Sequence, residues 1–247
     1  MELVSVVSPY FKKKLFIKKT VDSILNQTYS NFELIIIYDD TDQDDYKYIK
    51  KISKIDKRIK VIKNSKNLGA GESRNIGIRH SRGKYIAFLD SDDLWHSQKL
   101  EKQLRFMIDN NFDISHSSYT IINKKNKVIG KRIARNFLNY NSLLKSCDIG
   151  LSTVIIRKNL FNNGLKFPKL RTKEDFVLWL KLLRKNNKIM ALNKTLVSWR
   201  KLDNSLSSSL LQRLYDGFKV YNKYMNYNYL KSLYLLSCLC LNFLKKK

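Results

Sequence analysis

The chain has 247 residues and a formal net charge of +27, from 48 Lys and Arg against 21 Asp and Glu. Its hydrophobic content of 43% is ample for a packed core, while eight glycines and two prolines argue against a low-complexity linker. Cys147, Cys238 and Cys240 are odd in number and lack a metal-ligand spacing, so we expect free thiols and a reducing cytoplasm. The start of the chain has no basic leader, and we expect no signal peptide.

The positive charge is compatible with three kinds of partner. A basic protein can bind the phosphates of a nucleic acid without sequence preference. The same field attracts anionic lipid or a phosphorylated substrate. Because the lysines are spread along the whole chain, charge alone does not choose among these partners.

Strands and helices alternate through the first 115 residues. Short apolar, β-branched runs predict strands at residues 3–7, 33–38, 58–62 and 85–89. Helices are predicted in the intervals, among them residues 46–55 and 72–80, and another begins after Trp95. Buried strands that alternate with helices indicate an α/β fold with a mostly parallel, Rossmann-like sheet.

Polar side chains follow three of these strands. Ser8 comes after the first strand, Asp39 after the second, and the segment Asp90-Ser91-Asp92-Asp93 after the fourth. The carboxyl ends of parallel strands border the ligand crevice of such a sheet. We therefore predict that the three strand ends meet in one polar, acidic cleft.

Three carboxylates within residues 90–93 repel one another at the edge of the core. A divalent cation with oxygen ligands would relieve this repulsion and keep the carboxylates ionised. The alternative is a solvated turn in which Asp93 caps the helix that follows Trp95.

The pattern changes after residue 115. Strands are predicted at 119–122 and 153–156, and helices at 140–146, 174–185 and 205–224. The tail, residues 232–244, is apolar and is followed by three lysines. It is shorter than the roughly 20 residues that span a bilayer. A helix at the membrane interface and a terminal helix packed on the core both fit this pattern.

Five segments in order resemble family 2 glycosyltransferases with the GT-A fold. They are Val-Ser-Val-Val-Ser-Pro-Tyr (4–10), Glu-Leu-Ile-Ile-Ile-Tyr-Asp-Asp (33–40), Asn-Leu-Gly with Ser-Arg-Asn-Ile-Gly (67–69 and 73–77), Gly-Lys-Tyr-Ile-Ala-Phe-Leu-Asp-Ser-Asp-Asp (83–93) and Lys-Glu-Asp-Phe-Val-Leu-Trp (173–179). The resemblance covers roughly residues 1–210. It implies a GT-A domain at 1–205, with a nucleotide-binding half to about 115 and an acceptor half from about 116. A C-terminal helical extension follows at 206–247.

The resemblance also assigns the donor site. Ser8, Tyr10 and Asp39 would hold the nucleoside of a nucleotide-sugar, with Asp39 accepting a base N–H. The alternative is that Asp39 and Asp40 only cap the loop that follows them. Arg74 would face the diphosphate, although a solvated helix arginine is the ordinary alternative.

Asp90, Ser91 and Asp92 correspond to the DxD motif of this family. Asp90 would contact the ribose or sugar, and Asp92 would ligate Mn²⁺ or Mg²⁺ that bridges the two phosphates. For Asp93, metal ligation and helix capping are both left open.

Asp175 would be the general base that deprotonates the acceptor hydroxyl, in a single displacement with inversion. Acids are also common in the first turn of any helix, which is the alternative for Glu174 and Asp175.

The chain departs from the family at Leu202, where many members carry a histidine, so Arg200 or Lys201 could neutralise the diphosphate instead. The three histidines lie elsewhere and are interpreted as surface or structural residues.

The resemblance implies a metal-dependent glycosyltransferase that moves a sugar from a nucleotide-sugar, expected to be a UDP-sugar, to a glycan or lipid-linked acceptor in surface polysaccharide biosynthesis. We expect the protein in the cytoplasm, and peripheral attachment to the inner face of the membrane is left open. The competing hypotheses are a basic nucleic-acid-binding protein, a metal-dependent phosphohydrolase and a nucleotidylyltransferase. Acids at the strand ends disfavour the first, since a phosphate-binding groove would be basic. The first loop, Ser-Pro-Tyr-Phe, lacks the glycine-rich basic sequence of the last.

Overall fold

The computed structural model describes residues 1–202 and 209–244. The strands are β1 (Val4–Tyr10), β2 (Phe32–Tyr38), β3 (Ile59–Lys63), β4 (Tyr85–Phe88), β5 (Leu94–Trp95), β6 (Ile114–Ile122), β7 (Val128–Arg132), β8 (Ile155–Arg157) and β9 (Met190–Arg200). The helices are α1 (Lys14–Leu25), α2 (Gln43–Ser53), α3 (Ala70–His80), α4 (Lys99–Asp109), α5 (Tyr140–Leu144), α6 (Glu174–Arg184), α7 (Leu210–Lys219) and α8 (Tyr229–Leu244).

One sheet runs in the order β3-β2-β1-β4-β8-β6-β9-β5, with β7 paired to β6. In its first half, β1 pairs in parallel with β2 and β4, and β2 pairs in parallel with β3. This half confirms the predicted βα alternation, because each crossover helix lies between parallel strands.

The second half of the sheet is mixed. Strand β8 is antiparallel to β4 and β6, β9 is parallel to β6, and β5 is antiparallel to β9. Strands β5, β7 and β9 were not predicted. Strand β9 carries exposed Asn193 and Lys194 in its middle, and β5 has only two residues, so neither has the periodicity of a buried strand. Because β5 occupies Leu94–Trp95, α4 begins only at Lys99.

The sheet separates two hydrophobic clusters, and alternate residues of each strand serve one or the other. Val4 and Val6 of β1 pack in the cluster that contains α1, α2 and α4, whereas Val7 packs in the cluster that contains α6 and α8. This is the side-chain alternation expected of a strand covered on both faces. Helix α3 lies so close to β1 that a Cβ on Gly77 would be 2.4 Å from Cγ1 of Val7.

The C-terminal helices pack on the domain. Leu235 and Leu239 of α8 are buried in the same cluster as Phe88 of β4 and Phe176 of α6. The core-packing alternative for the tail is therefore correct for this face of α8. The helix predicted at 205–224 begins at Leu210 and ends at Lys219, after which Val220–Tyr224 form a π-helical segment. Residues 203–208 and the terminal lysines lie outside the described residues. Among the helices that are described, none is long and apolar enough to cross a membrane.

Candidate active site

The ends of β1 and β4 are tied together by hydroxyl groups. Ser91 Oγ donates to the carbonyl oxygen of Pro9 at 2.6 Å and lies 3.2 Å from Ser8 Oγ. The backbone N–H of Asp90 donates to Ser152 Oγ at 3.1 Å. Ser8 is buried and Asp90 is partly exposed, so the DxD segment has one side in the core and one side toward solvent.

Asp92 forms an ion pair that the sequence did not predict. Its Oδ2 lies 2.6 Å from Lys13 Nζ, and both side chains are mostly buried. Burial raises the pKa of the Asp92 carboxyl, Lys13 opposes this, and the charge of Asp90 adds to it. The sequence signal for Lys13 is weak, because residues 12–14 are all lysine and only the fold selects one of them.

Asp93 neither caps α4 nor faces solvent. It is completely buried, its Oδ2 accepts from Ser152 Oγ at 2.6 Å, and its Oδ1 accepts from the backbone N–H of Arg200 at 2.7 Å. Burial raises the pKa of Asp93 well above its ordinary value, and the charges of Asp92 and Asp90 add to this. The capping alternative was therefore wrong, and Asp93 anchors the end of β9 beneath the DxD segment.

The Arg200 guanidinium also contacts the DxD segment, through its backbone. Its Nε donates to the carbonyl oxygen of Asp92 at 2.7 Å, and its Nη1 donates to the carbonyl oxygen of Asn123 at 2.8 Å. Lys201 is exposed. A contact of either residue with a diphosphate stays a prediction.

The Asp39 carboxylate is bound by the loop that precedes α3. Oδ1 accepts from Asn64 Nδ2 and from the backbone N–H of Leu68, both at 2.7 Å, and Oδ2 accepts from the backbone N–H of Gly69 at 2.8 Å. Gly69 has φ of 83°, a conformation that favours glycine. These bonds fix the loop before α3 against the end of β2, and each oxygen has two lone pairs, so Oδ2 retains capacity for a further donor.

Tyr10 is the last residue of β1 and lies in the core. Its side chain is fully buried, its ring stacks on Tyr38 at 5.3 Å between centroids, and its hydroxyl donates to Asp45 Oδ2 at 2.6 Å. In this position the side chain supports the strand end rather than forming the surface of the cleft. Direct contact of Tyr10 with a nucleoside stays a prediction.

Arg74 joins Asp90, which follows β4, to the acidic pair on α6. Its Nη2 lies 2.7 Å from Asp90 Oδ1, and its Nη1 lies 2.6 Å from Glu174 Oε1. The residue is only 4% exposed, so the solvated-helix alternative was wrong. The two carboxylates raise the pKa of the guanidinium despite its burial, and it is therefore a permanent cation between them.

The acidic pair begins helix α6. Lys173 precedes it in the left-handed region, with φ of 62° and no side-chain cap. Burial raises the pKa of Glu174 to about 7, although Arg74 opposes this. Burial also raises the pKa of Asp175, again opposed by Arg74, and Asp175 Oδ1 accepts from the N–H of Phe176 at 2.7 Å. A partly exposed carboxylate with a raised pKa is suited to accept a proton.

The histidines lie outside this group, as the sequence analysis expected. His80 and His96 are exposed. His116 is buried on β6, where one ring nitrogen lies 2.9 Å from the carbonyl oxygen of Arg135, and burial lowers its pKa to about 4.

A comparison with family models identifies the chain. The model described as "Glycosyl transferase family 2" matches residues 5–164, which include every strand end at the cleft. The chain belongs to this family. It is a glycosyltransferase, and the nucleic-acid, phosphohydrolase and nucleotidylyltransferase alternatives are set aside.

Among its relatives, the UDP-Glc:alpha-D-GlcNAc-diphosphoundecaprenol beta-1,3-glucosyltransferase WfgD of Escherichia coli is 36% identical over 237 residues, covering 95% of this chain and 91% of that protein. S. aureus TarS 1–349, solved with UDP-GlcNAc, has a TM-score of 0.74 at 20% identity, covering 96% of this chain and 70% of that one. The mannosyltransferase PcManGT of Pyrobaculum calidifontis, solved with GDP-Man and Mn²⁺, has a TM-score of 0.69 at 13% identity, covering 91% and 64%. The two structures support the GT-A fold of this glycosyltransferase.

The side chains of the DxD segment in this glycosyltransferase fit a divalent cation that would receive most of its oxygen ligands from the substrate. The part of the chain that the structure describes contains no group of three or more His, Cys, Asp or Glu able to hold a metal. Asp92 offers a carboxylate whose Oδ2 meets Lys13. One such carboxylate is enough where a diphosphate and water supply the other oxygen ligands.

We expect Asp93→Ala to destabilise the protein, because the buried Ser152 hydroxyl and the Arg200 N–H would both lose their acceptor. The loss in free energy of unfolding should be about 2–4 kcal/mol, on the scale of two unsatisfied buried groups. Asp93→Asn keeps one carbonyl acceptor and should cost less. Urea unfolding of both variants measures this.

Nucleotide binding by Asp93→Asn, measured with and without Mn²⁺, tests whether Asp93 is a metal ligand instead. We expect Mn²⁺ to affect nucleotide binding by this variant as it affects the unchanged protein. A folded Asp93→Asn protein whose nucleotide binding no longer responds to Mn²⁺ would make Asp93 a ligand and contradict the anchoring role.

Proposed function

We propose that the chain is an inverting glycosyltransferase that transfers a sugar from a UDP-sugar to a hydroxyl of a lipid-linked glycan in surface polysaccharide biosynthesis. The Arg74 bridge carries this proposal. A buried guanidinium that contacts Asp90 at 2.7 Å and Glu174 at 2.6 Å holds the DxD segment beside the start of α6. A donor-binding motif and a candidate base next to it are the two parts that a single displacement needs.

The nucleoside end of the donor is assigned to the region of Ser8, Tyr10 and Asp39. Asp39 is buried at the end of β2, where two backbone N–H groups bind its carboxylate, and its Oδ2 accepts one of them. A uracil imide N–H is a suitable further donor to a carboxylate. Because the Tyr10 side chain is buried, it would contribute by fixing the end of β1 through its hydrogen bond to Asp45.

Asp90, Asp92 and Arg74 are assigned to the sugar and the diphosphate. Mn²⁺ or Mg²⁺ held by Asp92 would stabilise the negative charge of the departing nucleoside diphosphate. Lys13 and Arg74 are the cations nearest these carboxylates, and each is available to a diphosphate if its ion pair is exchanged. Asp90, which is partly exposed, would orient the sugar.

Asp175 is assigned as the general base. Its raised pKa strengthens the carboxylate as a proton acceptor, and its position in the first turn of α6 holds it at one edge of the cleft. It would take the proton of the acceptor hydroxyl as that oxygen attacks the anomeric carbon opposite the leaving diphosphate. One base and one displacement give inversion.

The acceptor is assigned to a membrane lipid. The 36% identical relative, WfgD of Escherichia coli, is named for an acceptor linked to diphosphoundecaprenol. In this chain, α8 exposes large apolar side chains, most of them away from its buried face, and α7 adds others. On α8 they are Tyr229, Leu230, Leu233, Tyr234, Leu241, Phe243 and Leu244, and on α7 they are Leu210, Leu211 and Tyr215.

A surface of this kind on a chain of charge +27 suits peripheral contact with anionic lipid. The contact would bring the cleft to an acceptor that cannot leave the bilayer. We therefore assign the protein to the cytoplasmic face of the membrane.

Asp92→Asn tests the donor and metal assignment. An amide is a neutral and poorer ligand, so transfer should be abolished and the Mn²⁺-dependent thermal shift on UDP binding should disappear. Asp22→Asn is the matched control, because it also removes an Asp–Lys ion pair, with Lys18 at 2.6 Å, but on an exposed part of α1. Full activity and an unchanged manganese response in Asp92→Asn would remove the assignment.

Asp175→Asn tests the base. Turnover should fall by roughly 10²–10⁴, the scale of losing general-base catalysis, with UDP affinity nearly unchanged. Asp44→Asn removes another first-turn acid, on α2, and should leave turnover intact. Steady-state kinetics and UDP titration separate the outcomes. Lost UDP binding with normal turnover would place Asp175 in the donor site instead.

The membrane assignment is tested without disturbing the core face of α8. Leu230→Gln with Leu241→Gln should weaken co-sedimentation with phosphatidylglycerol vesicles, since both residues are mostly exposed, at 80% and 59%. Binding should also weaken as salt rises, because each surface lysine adds about 1 kcal/mol. The control pair, Leu15→Gln with Ile133→Gln, changes exposed apolar residues elsewhere. Equal sedimentation of both pairs would exclude this surface.

A further inference from the structure

Helix α7 contacts the segment that leads into the acidic pair. A single carboxylate oxygen, Oδ2 of Asp216, accepts from the backbone N–H of Thr172 at 2.9 Å, from Thr172 Oγ1 at 2.9 Å and from Gln212 Nε2 at 3.0 Å. Asp216 and Thr172 are both buried, at 2% and 5% exposure. In a buried setting, hydrogen bonds to a charged acceptor are strong and costly to lose.

The segment held by Asp216 is conformationally demanding. Lys173, between Thr172 and Glu174, has φ of 62°, which an L side chain adopts only when its surroundings enforce it. The α6 start has no side-chain cap of its own. The direction in which α6 begins therefore depends on contacts from outside the helix, and Thr172–Asp216 supplies two hydrogen bonds one residue before the turn.

Helix α7 is itself firmly placed. A Cβ on Gly217 would lie 2.8 Å from Leu236 Cδ1 of α8 and 3.5 Å from Lys173 Cε, so α7 is packed closely between α8 and the Lys173 side chain. Helix α8 is in turn fixed by Leu235 and Leu239 in the core. The C-terminal helices are thus closely packed against each other, against the core and against the segment before α6.

We propose that Asp216 is a positioning residue for Asp175. By fixing Thr172 it sets the left-handed turn at Lys173 and thereby the location of the Asp175 carboxylate relative to the cleft. This inference rests on the proposed role of Asp175 as the base. A displacement of about 1 Å in a reacting group can cost on the order of 10²-fold in rate, so a contact three residues away can control turnover.

Asp216→Ala should lower kcat by roughly 10–100-fold while UDP affinity changes less than about twofold, because the donor groups are held by other strands. Asp216→Asn keeps one carbonyl acceptor for Thr172 and should recover part of the loss. Glu33→Ala is the matched control. It removes another buried acid, which bonds Ser5, Lys60 and Arg82 at the amino-terminal end of β2, and should lower thermal stability without changing kcat.

A double-mutant cycle with Asp175→Asn separates positioning from a general structural effect. If Asp216 acts through Asp175, then Asp216→Ala should lower the residual rate of Asp175→Asn by less than about twofold. An equal loss with and without the Asp175 carboxylate overturns the positioning role. Failure of the base assignment is distinct, because it is seen in Asp175→Asn alone as unchanged turnover.

If Asp216→Ala does not fold, Thr172→Val tests the same contact from its other side. It removes the hydroxyl bond and keeps the backbone bond, so kcat should fall by roughly 3–10-fold, again only when Asp175 is present. Unchanged kcat in folded Thr172→Val and Asp216→Asn proteins would overturn the proposal.

Discussion

The cleft depends on one buried cation. Arg74 comes from α3, Asp90 follows β4, and Glu174 begins α6, so its two ion pairs join the parallel half of the sheet to the start of α6. Burying a guanidinium is favourable only with this pairing, and removing one partner of such a group typically costs about 3–5 kcal/mol. The close approach of α3 to β1 at Gly77 places Arg74 where both carboxylates can reach it. The same cation also limits how far burial raises the pKa of Asp175.

Three neighbouring aspartates have different roles because their surroundings differ. Asp90 is partly exposed beside Arg74, Asp92 meets Lys13, and Asp93 lies in the core with Ser152 and the Arg200 backbone. Repulsion among like charges and burial raise the pKa values of Asp92 and Asp93 together. The two hydrogen bonds to Asp93 hold it in the core, whereas Asp92 has an ion pair with Lys13, and Asp92 is therefore the member of the pair that we propose as the metal ligand.

The sequence predicted the parallel half of the sheet and the convergence of its strand ends, since buried β-branched runs ending in polar residues have a clear signature. It could not predict β9, whose middle is exposed, or the pairing of Lys13 with Asp92, which depends on the loop after β1. It also could not separate Asp93 from Asp92, because adjacent carboxylates look alike until their neighbours are known. Asp216 has no sequence signal at all. Its contact with Thr172 spans 44 residues and exists only once α7 has packed.

The C-terminal helices connect the proposed membrane surface to the proposed chemistry. Helix α8 buries Leu235 and Leu239 and exposes Leu230 and Leu241 on its other side, so lipid contact on the outer face would not require the inner face to open. Close-packed interiors transmit small displacements rather than absorbing them. Force on α8 would therefore reach α7 through Leu236 and Gly217, and α6 through Asp216. In this arrangement the helices proposed to hold the enzyme at the bilayer also contact, through Asp216 and Thr172, the segment that precedes the proposed base.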